Sequence, residues 1–302
     1  MKKSVLPFLA VMVLLLLLTH PALSFEGASQ GLLLWYQTVV PTLLPFMICS
    51  NVIVSLDGIR LLTAPVRPVL KGLFGLSDAG CYVLTSGLLC GYPMGAKTCS
   101  EFVEEGRISP LEGRFLLAVS NHPSPMFLLG YVASMADPSV SMAMILTAIY
   151  LPVLPIALIA RRLYGFEGQE ISLPPVRRQS SPSFDQALMN SFEVMIKIGG
   201  YLMLFSILAE MIGQIPAVPA ASQALLLGIV EITTGIRALS HVWTGIRQGM
   251  ALCFVTAFGG LCGLFQTKSV LGGSGLSAGH YLLWKVFHGT LSLCIFLLMS
   301  AL

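Results

Sequence analysis

Gly91-Tyr92-Pro93-Met94-Gly95-Ala96-Lys97 and Ser120-Asn121-His122-Pro123-Ser124-Pro125 interrupt two apolar runs in the first half of the chain, and the second half repeats the pattern. There, Ala224 to Val230 breaks at Glu231-Ile232-Thr233-Thr234-Gly235, and Ala251 to Ala257 breaks at Phe258-Gly259-Gly260-Leu261-Cys262-Gly263. The two breaks lie about thirty residues apart in each half, the trace that paired discontinuous helices leave in an internally duplicated transporter. Within a bilayer such breaks expose backbone polar groups, so they are tolerated only against protein or a water-lined cavity.

Composition places the chain in the same class. With 55% hydrophobic residues, 10% charged residues and a mean hydropathy of +0.83, it has too little polar surface to enclose a water-soluble core. It reads as an all-α polytopic membrane protein with the lipid bilayer as its main partner. The net charge of +3 is small and its basic residues lie in loops, which argues against nucleic acid as a partner. The seven cysteines are odd in number, lack a CxxC pair and lie mostly in apolar runs, so they read as small hydrophobes. No Walker motif, catalytic triad or hydrolase carboxylate pair is present. His241, His280 and His288 lack metal spacing, and Gly272-Gly273-Ser274-Gly275 lacks the lysine of a phosphate loop. We therefore expect neither an enzyme nor a cofactor; a homo-oligomer is left open.

Run lengths divide the chain into four parts. Residues 1–24 read equally as a signal segment or as a first transmembrane helix, both starting in the cytoplasm. Residues 25–160 form a first repeat: a full span from Gly31 to Leu56, a basic amphipathic connector with Arg60, Arg67 and Lys71, and a short helix from Asp78 to Leu89. That helix is too short to cross, and the polar return through Lys97 to Gly106 makes the pair a re-entrant hairpin tipped by the first break. A discontinuous span, Pro110 to Ser120 with Met126 to Met135, and a return from Ser139 to Ala160 complete the repeat. Residues 161–184, with Arg161, Arg162, Arg177 and Arg178, form a linker that the positive-inside rule places in the cytoplasm.

Residues 185–302 repeat the order: a span near Met195 to Ile212, a half-helix from Ser222 to Val230, a return through Ile236 to His241, a span broken at Gly259-Gly260 and a last span from Tyr281 to Leu302. Because this half starts from the cytoplasm and the first repeat's leading span starts outside, the repeats are expected to be inverted. Lys268 then falls inside, whereas Arg237 and Arg247 fall on the outer side, against the rule.

The four broken strings, with Gln266, resemble the YlbJ (SpoVV) sporulation integral membrane proteins. These sit within the nucleoside-recognition, or Gate-domain, group, which is similar in layout to concentrative nucleoside transporters. The likeness spans roughly Gly31 to the C-terminus and departs from the family pattern at His122 and Ser124. It implies transport of dipicolinic acid during endospore formation, in the bacterial cell membrane and specifically the outer forespore membrane.

The residues suit a small organic anion. Half-helix N-termini offer partial positive charge and free N–H groups. Gly91, Gly95, Gly259 and Gly260 would let the backbone approach a ligand, and Asn121, Ser124, Thr233 and Thr234 add neutral donors. Lys97 and Glu231 occupy matching places near the two tips. Two roles are open for them: Lys97 holds the anion while Glu231 pairs with it or takes up a proton, or the two form a structural salt bridge joining the repeats. Tyr92 with Glu231 offers a weak version of a nucleoside site, which keeps a nucleoside carrier and a non-transporting scaffold as alternatives. His122 reads as a satisfied pore-side histidine more readily than a titrating one.

Overall fold

The computed structural model describes residues 2–56, 58–166, 184–216 and 218–301. Residues 167–183, most of the expected linker with Arg177 and Arg178, lie outside the described residues. The described residues form helices and no strands.

The first half opens with α1 (Lys2–Thr19) and α2 (Pro21–Leu34). A π-helical turn, Trp35–Val39, leads directly into α3 (Val40–Ser55). The helix containing the first full span thus begins at Pro21, where proline suits the first helical turn, ten residues before the Gly31 read from sequence. The boundary expected between residues 24 and 25 falls inside α2. Alpha-helical continuity matters here because Gly27 and Gly31 face the second half. A Cβ at Gly27 would lie 2.6 Å from Ile207 Cα, and one at Gly31 would lie 2.8 Å from Met203 Cα. This is the small-residue spacing that lets two membrane helices touch backbone to backbone.

Two short helices, α4 (Ile59–Thr63) and α5 (Arg67–Phe74), then carry the basic connector. Arg60, Arg67 and Lys71 all reach Asp78, at 3.3, 2.8 and 2.8 Å. Asp78 opens α6 (Asp78–Cys90), which is bent by 108° from α5. Next come α7 (Met94–Glu104), α8 (Pro110–Val119), a second π-helical turn (Phe127–Val132) with α9 (Ala133–Met135), α10 (Met142–Tyr150) and α11 (Val153–Tyr164). The chain is non-helical from Ser120 to Ser124, within one residue of the break read from sequence.

The second half consists of α12 (Phe184–Gly213), α13 (Ala220–Val230), α14 (Ile232–Val242), α15 (Gly245–Phe258), α16 (Gly260–Val270) and α17 (Ala278–Ser300). Its breaks are single residues, Glu231 and Gly259. Among the described residues, five stretches are long and apolar enough to cross a membrane: Pro21–Val54, Met142–Tyr164, Phe184–Gly213, Gly245–Val270 and Ala278–Ser300. In the stretch Gly245–Val270, 72% of the most apolar window is buried, against 11% in Pro21–Val54. The central span is therefore itself one of the broken ones.

Helices α6 and α13, of 13 and 11 residues, are about 20 and 17 Å long, short of the roughly 30 Å hydrocarbon core. Each folds back against its successor through glycines. A Cβ at Gly87 would lie 3.0 Å from Gly95 Cα, and one at Gly235 would lie 2.0 Å from Gly228 Cα. A Cβ at Gly200 of α12, in contrast, meets nothing within 4 Å. Gly235→Ala is therefore expected to destabilise the purified protein by about 3 kcal/mol or more, through overpacking against backbone. Gly200→Ala should be neutral or stabilising by up to about 1 kcal/mol. Thermal unfolding in detergent compares them, and equal melting temperatures would contradict this packing.

Candidate functional site

All four breaks border one cavity of about 70 Å³. Gly91, Tyr92, Pro123 and Ser124 line it from the first half, and Glu231, Thr233, Gly259, Cys262, Gly263 and Gln266 from the second. Thr38 of the π-helical turn, Thr42 of α3, and Ile198 and Leu202 of α12 close the remaining wall.

The first break turns on Gly91, whose φ of +80° favours glycine. A Cβ there would meet Ser124 N at 2.8 Å. Tyr92 follows; its backbone N–H donates to His122 O at 2.9 Å, so the two first-half breaks satisfy each other. The Tyr92 ring lies against Gly259 and Gly263, 3.7 and 3.8 Å from where their Cβ atoms would be. Ser124 Oγ accepts from Phe127 N–H at 3.2 Å and starts the helix beyond the break.

Glu231 is fully buried and caps α14. Its carboxylate accepts from Thr233 N–H at 3.1 Å, Thr234 N–H at 2.7 Å and the Thr233 hydroxyl at 2.5 Å. The negative charge is thus held by the positive end of its own helix. Gly259, with φ +84°, forms the turn into α16, which begins without a side-chain cap.

Of the residues singled out in the sequence, the cavity gathers Gly91, Tyr92, Ser124, Glu231, Thr233 and Gly259. The others lie elsewhere. Gly95 allows α7 to cross the end of α8: a Cβ there would sit 2.0 Å from Ser120 O. A Cβ at Gly260 would lie 3.3 Å from Ile232 N, and Thr234 contributes its N–H to Glu231 behind the wall. Lys97 does not pair with Glu231. Its ammonium reaches Glu101 Oε1, one turn along α7, at 2.6 Å, because an acid at i+4 is within reach without any tertiary constraint.

Asn121 is a bolt between halves. Its Oδ1 accepts from Ala96 N–H at 3.3 Å, and its Nδ2 donates to Thr267 Oγ1 at 3.0 Å and Tyr281 OH at 2.7 Å. Both hydrogens of this carboxamide are used within the protein, and its oxygen already accepts one bond.

Two features escaped the sequence reading. Thr38 and Thr42 sit inside an apolar span with no polar cluster to mark them. Lys285 did carry a signal, as the only Asp, Glu, Lys or Arg between Tyr281 and Leu302; an ionisable residue inside a span defaults to a functional candidate. It is 5% exposed, donates to Asn121 O at 3.3 Å and lies 5.6 Å from the Tyr92 ring centre.

The chain is similar to the sporulation integral membrane protein YlbJ of Bacillus subtilis strain 168, with 26% identity over 294 residues, covering 84% of this chain and 72% of the relative. No family model matches the chain, and no solved structure matches it. It is an integral membrane protein, homologous to a sporulation protein.

The Asn121 network gives a direct expectation. Asn121→Ala leaves Ala96 N–H, Thr267 and Tyr281 without their partner and should cost roughly 2–4 kcal/mol of stability, since each orphaned buried group costs about 1–3 kcal/mol less whatever relaxation recovers. The readout is the melting temperature of the purified variant, and a wild-type value would contradict the bolt.

Proposed function

We propose that the protein is a transporter of a small organic anion, dipicolinic acid in the setting of endospore formation, acting in the outer forespore membrane. One observation carries this reading: four interruptions from separate parts of the chain border a single internal cavity. The relative's description as a sporulation integral membrane protein supports the setting.

In this reading the halves are inverted repeats, each with a re-entrant hairpin, α6–α7 and α13–α14, and a discontinuous segment. Support comes from the matched order of elements, from glycine-packed arms in both hairpins and from helices too short to cross. Transporters built this way place substrate near the midplane, between half-helix ends. The uncapped N-terminus of α16 brings partial positive charge to the cavity wall, and Ser124 and Thr233 add hydroxyls. Glu231 is the acid of the wall and the candidate for proton uptake during the cycle.

A cavity of about 70 Å³ is far below the roughly 300–1,000 Å³ of ordinary ligand pockets. The arrangement therefore corresponds to a closed state, and cargo enters when the hairpin tips part. Two sides of one site opening in turn is the expected behaviour of inverted repeats.

Vesicles reconstituted with the full chain should take up dipicolinate in preference to uridine. Preference for uridine would favour a nucleoside carrier, and uptake of neither would leave a scaffold. Gly263→Leu places a side chain beside Tyr92 at the wall and is expected to cut uptake roughly tenfold or more while the protein stays folded, because a cavity this small has no room for it. Glu231→Gln should flatten the pH dependence of uptake; an unchanged profile removes Glu231 from proton coupling.

A further inference from the structure

One face of α17 carries buried polar side chains on an otherwise largely apolar helix. Tyr281, Lys285, His288 and Ser292 recur at spacings of four, three and four, with exposures of 3, 5, 2 and 0%. That spacing keeps them on a single stripe, directed into the bundle against the Asn121-His122 break and α10. Polar side chains on a membrane helix are retained in this orientation when they serve a partner or a path.

The stripe contains an unusual charge arrangement. Lys285 makes no ion pair among the described residues, and its contact to Asn121 O, at 3.3 Å, is long. The neighbours that face it are two more basic groups. His122 and His288 meet edge to face with ring centres 5.1 Å apart. His122 Nε2 lies against Val119 O, and His288 Nε2 lies 2.7 Å from Ile149 O. A carbonyl oxygen only accepts, so both Nε2 atoms carry hydrogen, and Nδ1 of each neutral ring is left as an acceptor. His122 Nδ1 is buried and has no partner. A membrane interior does not hold at no cost a lysine without an ion pair among the described residues, together with an orphaned imidazole nitrogen on the residue that follows the lysine's one acceptor.

A ligand that completes this group presents an anionic oxygen to Lys285 and a hydrogen donor to His122 Nδ1. A half-protonated dicarboxylic acid does so, as does a carboxylate carrying its own bound water. Access runs past Tyr92. Its ring and Lys285 stand side by side behind the cavity residue Gly259, whose Cβ position is 3.7 Å from Tyr92 and 3.6 Å from Lys285 Cε. Glycine at 259 and 263 leaves that side of the ring without a side chain to lock it.

We propose that Lys285 and His122 form an inner subsite beside Tyr92 and Gly259 that takes a carboxylate of the transported molecule, and that this subsite makes the path selective for anions. The inference rests on the transport reading above, and it adds the residues that read the charge.

The test compares uptake of dipicolinate and of its neutral diamide, pyridine-2,6-dicarboxamide, by vesicles containing the full chain. Wild type is expected to prefer the anion. Lys285→Gln should lower dipicolinate uptake roughly tenfold or more, the size of a lost charge-assisted hydrogen bond, while diamide uptake stays level or rises. Lys285→Arg should keep the preference. His122→Asn, which removes the orphaned acceptor and leaves the lysine, should also lower dipicolinate uptake, and it decides the matter if Lys285→Gln does not purify as a single species. Folded variants with wild-type uptake and wild-type preference would overturn the proposal while leaving anion transport intact. If wild type takes up neither probe, the transport reading fails instead. The subsite is then judged by thermal stabilisation with dipicolinate: a shift in wild type that Lys285→Gln abolishes supports it, and equal or absent shifts overturn it.

Discussion

Hydrocarbon offers no hydrogen bonds, and that constraint organises this molecule. A helix that stops inside a bilayer leaves N–H and C=O groups that only protein can satisfy. Three of the four breaks find such partners, and the fourth, at Gly259, leaves the start of α16 without a side-chain cap. Tyr92 N–H goes to His122 O, Ala96 N–H goes to the Asn121 side chain, and the first turn of α14 is closed by Glu231. Tyr131 OH then ties the segment beyond the first-half break to Thr233 O at 2.7 Å. Breaks that must be satisfied by one another gather in one place, and the cavity is the space their imperfect fit leaves.

The glycines divide by the same logic. Gly91 and Gly259 are needed for their left-handed turns, whereas Gly95 and Gly235 are needed because backbone lies where a Cβ would be. Only the first kind borders the cavity. Close glycine packing in the α6–α7 and α13–α14 pairs lets the two short helices of each pair fold back on one another.

Helix placement was largely legible in the sequence, because apolar run length and Gly, Pro or polar interruptions report local backbone demands directly. The break at residues 120–124, the stop at Val230 and the turn at Gly259 all follow from such signals. Side-chain roles were less legible, since they depend on what the fold brings alongside. Asn121 looks like a ligand donor until Thr267 and Tyr281, far along the chain, take up its amide. Lys97 finds its partner within its own helix. The start of α2 at Pro21 was hidden by the polar residues Glu26 and Gln30, which lower the apolar signal on a helix held in place by Gly27 and Gly31. Lys285 was visible as a lone charge, but nothing in the sequence shows that it lies near two histidines and makes no ion pair among the described residues.

The central claim is that breaks from the two halves enclose one space. Cys90, at the end of α6, and Cys262, in α16, both line it and belong to one packed cluster. In a variant retaining only these two cysteines, a short bifunctional thiol reagent should join them within a single chain, giving one linked pair of peptides by mass spectrometry. Single modification of each thiol with no cross-link between them would contradict it.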